Sequence, residues 1–568
     1  MNASTPIIWS IAGLDTAGGA GLSADQRAAD AMGVHLCPIT AALTAQHSRG
    51  VDAVFPVAPS ALQAQLQAVA QDLPPRAIKA GLLGSVNAIE QVAHWVDHWR
   101  AQTPAGRDPH QQLALIVDPV LGATAGGAAF ASDDIVQAYR THLLPRATVL
   151  TPNRAEAKRL LNQAGRHDGP DADIPALADG LQKMGVRSVV ITGGDAKGQS
   201  QTTARFSLDW LQTPHAQGWL TAPRIQTTHT HGTGCTFASG VAAACAWGHV
   251  EADAIVLAKM LTHHALMQAR AAGQGAGPVL ASRGFSTGPQ AGGAPLPWLG
   301  LGQTLPWQIQ HRASAVKGTA SSPLFEPFLP PQDRLYGILS DGDQVTAALQ
   351  AGLLCVQLRH KQKQDLTRHL DQSLQAANTA QAQLFINDHW QEALSLLRTV
   401  HRSNQTGSNS KIGLHLGQED LLALTPVQQD HLLAHREQIM LGLSSHSLWE
   451  LARAAGCGAS LIACGPVQPT TTKDMPWLAQ GTDNLGWWIR HSPAPVVAIG
   501  GLLTPADVAR FAAMQPAALC VVRGLGLTLA EMQQTIPPLR QAVLSAATSP
   551  SGNHPPPLPH PVLPPVIF

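Results

Sequence analysis

The sequence predicts an α/β protein with two domains: an N-terminal three-layer α/β domain over residues 1–273 and a C-terminal (β/α)₈ TIM barrel over residues 333–546. From Pro6 to about Gly273, short β-type runs alternate with Ala-, Gln- and Leu-rich helical segments, a pattern typical of a parallel sheet covered by helices. The second region holds eight strand candidates, each followed by a helical stretch, which is the repeat of a (β/α)₈ barrel.

Two further segments lack this alternation. Residues 274–332 are rich in Gly and Pro, and we interpret them as a connector that Trp298 and Trp307 fold onto a domain. Residues 547–568 form a proline-rich tail that is predicted to be extended or disordered.

The composition favours a protein that acts on small molecules. Lys and Arg total 37, as do Asp and Glu, so no basic excess points to nucleic acid or to an anionic membrane. The seven cysteines have neither disulfide-scaffold nor metal-pair spacing, which indicates a reducing compartment. We find no signal-peptide pattern and no apolar run long enough to span a membrane, and we therefore expect a cytoplasmic protein.

The first strand candidate runs into the glycine-rich stretch IAGLDTAGGAGLSAD, residues 11–25. Gly19, Gly21 and Ala24 match G-x-G-x-x-A, which raises the alternative of a dinucleotide-binding loop. That reading requires an acidic residue at the end of the second strand, where the sequence ITAALTAQ has Gln46 instead. We therefore disfavour it.

A better phosphate site follows the strand candidates LALIVDP, ATVLTPN and SVVITGG, in the stretch THTHGTGCTFASG. Gly232 and Gly234 free the backbone where a helix begins, so its N–H groups form an anion hole. Cys235 lies at this helix start, where the helix dipole is expected to lower the pKa of a thiol. The alternative is that Cys235 is a small buried residue in a tight turn.

These motifs, with DPV and LLPRATVLTPNRAEA, resemble the hydroxymethylpyrimidine/phosphomethylpyrimidine kinases of the ribokinase superfamily over about residues 5–270. The resemblance implies ATP as co-substrate, Cys235 as the base above the anion hole of Gly232 and Gly234, and Glu156 as a Mg²⁺ ligand. It also implies that the aminopyrimidine is bound by Gly13, Asp25, Gln46, Leu82 and Val120.

Two positions depart from the family pattern. Thr124 and Thr192 stand where lysines are common, so positive charge that would meet phosphates is lost. We therefore expect the first phosphorylation to survive better than the second, whose acceptor is more anionic.

The barrel candidate carries its polar residues at strand ends, where (β/α)₈ active sites form. Arg359 and Lys361, two apart on an extended strand, suit a diphosphate, and Asp388 and Asp420 suit Mg²⁺. Further phosphate-type donors are Thr470, Thr472 and Lys473, together with the open backbone at Gly500 and Gly501.

The ordered motifs QLRHK, IND, HLGQED, GLSSH, GPVQPTTTK and IGG resemble thiamine-phosphate synthase over about residues 333–545. The resemblance implies that Asp388 and Asp420 bind Mg²⁺ and that Ser444 and Lys473 stabilise the departing pyrophosphate. Substrate contacts are implied for Gln357, Arg359, Lys361 and Asn387 on the pyrimidine diphosphate, and for Thr470, Thr472 and Gly501 on the thiazole phosphate.

The barrel also departs from its family pattern. His360 replaces the usual Glu and is expected to matter little because it faces the other side of the strand. Arg523 replaces a small residue near the thiazole phosphate, where it would either add a charge contact or block the pocket. The loose segment HRSNQTGSNSK is expected to lengthen a barrel loop.

The two resemblances together imply a bifunctional enzyme of thiamine biosynthesis. Its kinase would make the diphosphate of 4-amino-5-hydroxymethyl-2-methylpyrimidine, and its barrel would couple that product to thiazole phosphate. One alternative is a pyrimidine kinase with a non-catalytic, ligand-binding barrel, and another is a kinase of related ring alcohols such as pyridoxal. Whether the chain forms a homo-oligomer is left open.

Overall fold

The structure is a computed structural model that describes residues 5–104, 106–108, 112–122, 131–162, 174–193, 203–312, 323–403, 411–470, 476–546 and 558–563. The chain divides into two compact units, one formed by residues 1–306 with 554–568 and one formed by residues 307–553. The predicted connector, residues 274–332, is thus divided between the two units.

The first unit is built on a ten-stranded sheet in the order β10-β9-β8-β7-β6-β5-β4-β1-β2-β3. The strands are β1 (Ile7–Asp15), β2 (His35–His47), β3 (Gly50–Pro56), β4 (Ala77–Ala80), β5 (Ala114–Val117), β6 (Val149–Leu150), β7 (Ser188–Ile191), β8 (Phe206–Gln212), β9 (Gln217–Pro223) and β10 (Trp298–Leu299). Strands β2, β1, β4, β5, β6 and β7 are parallel, as predicted, whereas β3 and β8–β10 extend the sheet with antiparallel pairs. The sheet is therefore mixed.

The helices of this unit are α1 (Gly21–Met32), α2 (Pro59–Ala70), α3 (Val86–Arg100), α4 (Asp133–Ala138), α5 (Arg154–Leu160), α6 (Ile174–Lys183), α7 (Thr233–Ala246) and α8 (Glu251–Met267). Helix α7 packs on β1, β4 and β5 and against α1 and α8. Its Ala-rich sequence is buried from Thr236 to Ala244, which is typical of a central helix. The N-terminus of α7 is thereby held against the carboxyl ends of the central strands, and the predicted three-layer α/β fold is confirmed.

Trp298 lies in β10, which pairs with β9, and its ring centroid is 5.9 Å from that of Phe206. Residues 558–563 form no helix or strand and pack on the same unit, where Val562 is buried.

The second unit is a closed barrel of eight parallel strands, in chain order from β11 to β18. They are β11 (Leu335–Leu339), β12 (Cys355–Leu358), β13 (Gln383–Asn387), β14 (Lys411–Leu416), β15 (Met440–Ser445), β16 (Leu461–Cys464), β17 (Val496–Ile499) and β18 (Ala518–Val521). All eight coincide with the strand candidates in the sequence, so the predicted TIM barrel is confirmed.

Each barrel strand is followed by at least one helix. The helices of the unit are α9 (Trp307–Arg312), α10 (Gly342–Gln350), α11 (Leu366–Ala380), α12 (Trp390–Ser403), α13 (Gln418–Ala423), α14 (Pro426–Ala434), α15 (Leu448–Cys457), α16 (Gly481–His491), α17 (Pro505–Ala512) and α18 (Leu529–Ser545). Side chains such as Tyr336, Phe385 and Met440 fill the barrel core, so its interior is packed. In α9, Trp307 is buried and contacts Phe325.

In the part of the chain that the structure describes, no helix combines the length and the apolar character that a bilayer crossing requires.

Candidate active sites

The two glycine-rich stretches of the first unit lie against each other. A Cβ added at Gly19 would be 2.1 Å from Cδ2 of His231, and one added at Gly232 would be 2.2 Å from the carbonyl oxygen of Gly19. Gly21 approaches the carbonyl oxygen of Gly13 equally closely, at 2.1 Å from an added Cβ. These glycines are therefore required by close backbone packing, which joins residues 18–21 to the start of α7.

Asp15 organises this loop. Its carboxylate accepts hydrogen bonds from the backbone N–H groups of Ala17, Gly19 and Ala20 at 2.8, 2.9 and 2.8 Å, and lies 2.9 Å from Nε2 of His231. Burial alone would raise the pKa of Asp15, but these hydrogen bonds outweigh it and lower the pKa to about 2. Asp15 and His231 received no role from the sequence.

Gln46 joins the same cluster. Its Nε2 lies 3.1 Å from Nε2 of His231, and its Oε1 accepts from the hydroxyl of Thr44 at 3.2 Å. Gly13 and Leu82 also meet, since a Cβ on Gly13 would be 3.0 Å from Cδ2 of Leu82. Leu82 and Val120 are partly exposed. The predicted pyrimidine contacts Gly13 and Leu82 are therefore neighbours, and Gln46 reaches the loop before α7.

Asp25 has a different environment. Its carboxylate is fully buried and accepts from Ser10 at 2.6 Å, from Ser239 at 2.8 Å and from Nζ of Lys79 at 3.0 and 3.1 Å. Direct contact with a substrate would require one of these partners to move. The predicted role of Asp25 as a pyrimidine ligand stays a prediction, and the structure gives it a second role as the counter-ion of Lys79.

Lys79 and Asp118 connect this buried pair to Cys235. Nζ of Lys79 is 3.7 Å from Oδ2 of Asp118, and both groups lie close enough to Cys235 for their charges to shift the pKa of its thiol. Burial raises the pKa of Asp118 and opposes ionisation of Lys79, but the neighbouring carboxylates, Asp25 above all, keep the pKa of Lys79 above its usual value. The cluster therefore carries an ammonium beside two carboxyl groups.

The expectation that the pKa of Cys235 is lowered is wrong. Burial raises the pKa of the thiol to about 12, and the nearby Asp118 and Asp25 raise it too, whereas Lys79 lowers it. The dipole at the start of α7 is outweighed because Cys235 lies among buried carboxyl groups. The resting group is therefore a thiol, and the carboxyl group of Asp118 lies beside it.

Gly232 and Gly234 lie at the start of α7, and the anion hole expected there stays a prediction. Gly232 caps α7 in the left-handed conformation, with φ of 83°, and the first turn of a helix leaves its N–H groups without intrahelical partners. Gly234 lies close to Asp118, whose Oδ1 is 4.0 Å from the position of an added Cβ. Backbone donors, the Cys235 thiol and Lys79 thus lie around one helix start.

Glu156 lies in the first turn of α5 and forms a capping box with Asn153, whose backbone N–H donates to Oε2 of Glu156 at 2.9 Å. Thr192 lies near the start of α5, because its backbone N–H donates to the carbonyl oxygen of Pro152 at 2.9 Å. Thr124 lies outside the described residues. Among the residues that the structure describes, no three His, Cys, Asp or Glu side chains converge as a metal site, so Mg²⁺ at Glu156 stays a prediction.

In the barrel, Gln357 and Asn387 form a buried hydrogen-bonded pair. Oε1 of Gln357 accepts from the Tyr336 hydroxyl at 2.8 Å, and its Nε2 donates to Oδ1 of Asn387 at 2.6 Å. Strand β12 ends at Leu358, so Arg359 and Lys361 lie beyond the strand, not within it. The expected strand alternation therefore does not fix their directions.

Asp388 and Asp420 meet at the carboxyl ends of β13 and β14. The pKa of Asp388 is raised to about 6, chiefly by burial and next by its interaction with the neighbouring carboxyl group of Asp420. Two carboxyl groups this close repel when both are ionised, and a divalent cation with substrate oxygens as further ligands would relieve that repulsion. The pair therefore fits a Mg²⁺ site of the predicted composition.

His360 lies near two backbone carbonyls, those of Ser340 at 3.0 Å and Gln364 at 3.2 Å. It therefore contacts the residue after β11 and its own loop after β12, and since β12 ends at Leu358 the expected strand alternation does not fix its direction. Arg523 is exposed in a short turn after β18.

Gly501 has φ of 74°, and an added Cβ would be 2.5 Å from Cβ of Gln468. This close approach brings the turn after β17 against the segment that leads to Thr470. Thr472, Lys473 and most of the loose segment HRSNQTGSNSK, residues 404–410, lie outside the described residues.

Comparison with known proteins identifies both units. Residues 15–280 match the family model described as phosphomethylpyrimidine kinase. The hydroxymethylpyrimidine/phosphomethylpyrimidine kinase of Rhizobium meliloti (strain 1021) is 36% identical over 277 residues, which are 48% of this chain and 96% of that protein. The chain belongs to the phosphomethylpyrimidine kinase family.

This kinase family member carries a second enzyme. Residues 336–525 match the family model described as thiamine monophosphate synthase. A probable thiamine biosynthetic bifunctional enzyme, chloroplastic, from Oryza sativa subsp. japonica is 29% identical over 514 residues, covering 88% of this chain and 81% of that protein. The prediction of a pyrimidine kinase fused to a thiamine-phosphate synthase is confirmed.

Among solved structures, an ADP complex of Bacillus subtilis pyridoxal kinase is 29% identical to the chain. The match covers 49% of this chain and 98% of that one, with a TM-score of 0.43.

Proposed function

We propose that the first unit phosphorylates hydroxymethylpyrimidine and its monophosphate with ATP, and that the barrel couples the diphosphate to thiazole phosphate, giving thiamine phosphate and pyrophosphate. Both family matches and the bifunctional plant relative support this proposal. The observation that carries it is the placement of each unit's polar cluster at the carboxyl ends of its parallel strands, where the two reactions need charge.

In the first unit, the substrate hydroxyl would sit above the start of α7. Cys235 and Asp118 would accept its proton together, since the Asp118 carboxyl group lies beside the thiol. Backbone N–H groups from Gly232 to Cys235 would hold the transferred phosphoryl group. Lys79 would offset the negative charge that gathers there.

The pyrimidine would bind beside this point. Gly13, Leu82 and Val120 would contact its ring, and Gln46 would hydrogen-bond its edge. Glu156 would bind Mg²⁺ near the nucleotide. Asp25 would act through Lys79, in addition to its predicted contact with the substrate.

In the barrel, the pyrimidine diphosphate would lie over the carboxyl ends of β12–β15. The proposed contacts are Gln357, Arg359, Lys361 and Asn387 on this substrate, Asp388 and Asp420 on Mg²⁺, Ser444 and Lys473 on the departing pyrophosphate, and Thr470, Thr472 and Gly501 on the thiazole phosphate. Mg²⁺ held there would neutralise charge on the diphosphate. The barrel would exclude water from the pyrimidinylmethyl cation before the thiazole nitrogen captures it.

Separate half-reactions test the assignment. Purified protein is given hydroxymethylpyrimidine or its monophosphate with ATP and Mg²⁺, and in a second assay authentic pyrimidine diphosphate with thiazole phosphate. Cys235→Ala should stop phosphorylation alone, and Lys473→Ala should stop coupling alone. Full kinase activity in Cys235→Ala would exclude the thiol as a base.

Two alternatives are outcomes of the same assays. Preference for pyridoxal over hydroxymethylpyrimidine as acceptor would reassign the kinase substrate. Absence of thiamine phosphate when both authentic barrel substrates are supplied would make the barrel a ligand-binding module. Equal rates on the alcohol and the monophosphate would contradict the effect proposed for Thr124 and Thr192.

We also keep as proposals a cytoplasmic location and small molecules as the only partners. The plant relative is described as chloroplastic. Fractionation of the source cells tests the location, and light scattering of the purified chain tests whether it is a homo-oligomer.

A further inference from the structure

Ser444 has a hydrogen-bond partner that the function proposed above leaves without a role. Strands β14 and β15 are in register with His415 opposite Gly442, which places Ser444 diagonally across from the imidazole. Nε2 of His415 lies 3.0 Å from Oγ of Ser444. His415 is 6% exposed, whereas Ser444 is partly open to solvent.

The tautomer of His415 decides the direction of this hydrogen bond. A neutral imidazole has one nitrogen that donates and one that accepts. The contact with Ser444 therefore depends on which nitrogen carries the proton.

The other nitrogen decides this. Nδ1 of His415 is buried and has no hydrogen-bond partner among the residues that the structure describes. It lies over the backbone of Gly442, where an added Cβ would be 2.6 Å away. A buried N–H without an acceptor is rarer and costs more than an unpaired lone pair, which can face a Cα–H group. The proton therefore belongs on Nε2, which donates to Ser444.

The backbone of Ser444 is held independently. Its carbonyl oxygen accepts from Nε2 of Gln418 at 2.7 Å, and Oε1 of Gln418 accepts from the buried Arg453 at 2.8 Å. Ser444 is thus fixed through both its main chain and its hydroxyl oxygen. Its single hydroxyl hydrogen is left to point away from His415, toward the open side of the strand end.

We propose that His415 is a positioning residue for the coupling reaction, whose Nε2–H occupies a lone pair of Ser444 Oγ so that the serine hydroxyl always donates to the departing pyrophosphate. The inference rests on the proposed synthase function of the barrel. With the opposite tautomer, the hydroxyl would donate to His415 and present only lone pairs to an anion, which would repel it.

The reaction keeps its atoms and charges in balance. The C–O bond between the pyrimidinylmethyl carbon and the diphosphate breaks, and its electron pair leaves on the pyrophosphate oxygen. The thiazole nitrogen lone pair then forms the C–N bond, leaving positive charge on the thiazolium ring. No proton is transferred, so Ser444 and His415 end as they began.

Variants of His415 that differ in reach test this role. The side chain of His415→Gln can place an amide N–H near the Nε2 position, whereas those of His415→Asn and His415→Leu cannot. The matched control is His491→Leu, because His491 is another buried barrel histidine, 2% exposed. Thermal melting of each variant reports its folding.

Two readouts are measured, kcat and KM for coupling and the affinity for inorganic pyrophosphate at fixed Mg²⁺ by calorimetry. Loss of one hydrogen bond to a charged group should reduce kcat/KM and pyrophosphate affinity about 10- to 100-fold in His415→Leu, His415→Asn and Ser444→Ala. His415→Gln should recover most of the loss, and His491→Leu should behave as wild type.

The double variant His415→Leu/Ser444→Ala decides whether His415 acts through Ser444. We expect it to lose no more than Ser444→Ala alone. Additive losses, or unchanged pyrophosphate affinity in both His415→Leu and His415→Asn, would overturn the inference. If wild type binds pyrophosphate but makes no thiamine phosphate, the proposed function fails. The pyrophosphate affinities of the single and double variants still test whether His415 acts through Ser444. If wild type does not bind pyrophosphate, the inference fails.

Discussion

Replacing Lys79 by methionine removes a buried ammonium that faces two carboxyl groups. Nζ of Lys79 is 3.0 Å from Oδ1 of Asp25 and 3.7 Å from Asp118, and the side chains of Lys79 and Asp25 are fully buried. Methionine has a similar length, so the lost charge dominates the effect. Removing one partner of a buried pair costs about 3–5 kcal/mol because the other is left uncompensated.

This loss is large compared with the stability of most domains, which is about 5–15 kcal/mol. We expect the melting temperature of the first unit to fall on the order of 10 °C. Lys259→Met is a matched control, since Lys259 is also a buried lysine of this unit and lies 2.6 Å from Asp209. Urea unfolding of both variants should show losses of similar size.

Phosphorylation should separate the two variants. Lys79 is the charge that lowers the pKa of Cys235 against the effect of burial, so its removal reduces the fraction of thiolate that can accept the substrate proton. At 25 °C, with rates corrected for the folded fraction, we expect Lys79→Met to lose at least about tenfold in kcat and Lys259→Met to lose little. A stability loss below about 1 kcal/mol in Lys79→Met, or equal rates in the two variants, would refute the reasoning.

Three further changes follow from the first unit. Gly19→Ala places a Cβ 2.1 Å from Cδ2 of His231 and should abolish phosphorylation in a kinase assay. In the control Gly18→Ala, the added Cβ meets no atom within 4 Å, and the variant should lose only about 1–2 kcal/mol in urea unfolding because the φ of Gly18 is 69°. Asp15→Asn should destabilise the unit by about 2 kcal/mol at pH 7, because the folded-state pKa of Asp15 is depressed. That contribution is present above the unfolded-state pKa of Asp15, near 4, and is lost as the pH falls toward 2. The difference in urea midpoint between the variant and wild type should therefore persist at pH 5 and shrink toward pH 3. A difference that does not depend on pH would contradict the assignment. Val562 in the tail is only 4% exposed, so Val562→Asp places a charge in a buried position. The variant should lose at least about 1.5–3 kcal/mol of stability, which would lower the melting temperature of the first unit. An unchanged melting temperature would mean that the tail adds no stability.

The barrel could be predicted closely from the sequence. Its strands are short apolar runs bounded by polar ends, and a regular repeat makes the count informative. The first unit was harder, because antiparallel strands such as β8 and β9 carry no repeat, and because β10 is formed by residues interpreted as connector. Local patterns do not encode such long-range pairing.

The candidate sites show a similar division. Motifs singled out Cys235, Gln46 and Ser444, whose roles stay predictions, but the buried cluster depends on contacts between distant segments. Lys79 had a visible signal, a charged residue inside the apolar strand AIKA, and the sequence reasoning missed it. The pKa of Cys235 was predicted in the wrong direction because the sequence did not reveal that Asp118 and Asp25 surround the thiol.

The most direct test of the account is a single reaction with one purified chain. Hydroxymethylpyrimidine, ATP, Mg²⁺ and thiazole phosphate are supplied without any pyrimidine phosphate, and thiamine phosphate is measured by chromatography over time. The account predicts that thiamine phosphate appears after a lag in which the pyrimidine diphosphate accumulates, and that Cys235→Ala makes it only when that diphosphate is added. Failure of the wild-type chain to make thiamine phosphate, both in this mixture and when the diphosphate is added, would contradict the account.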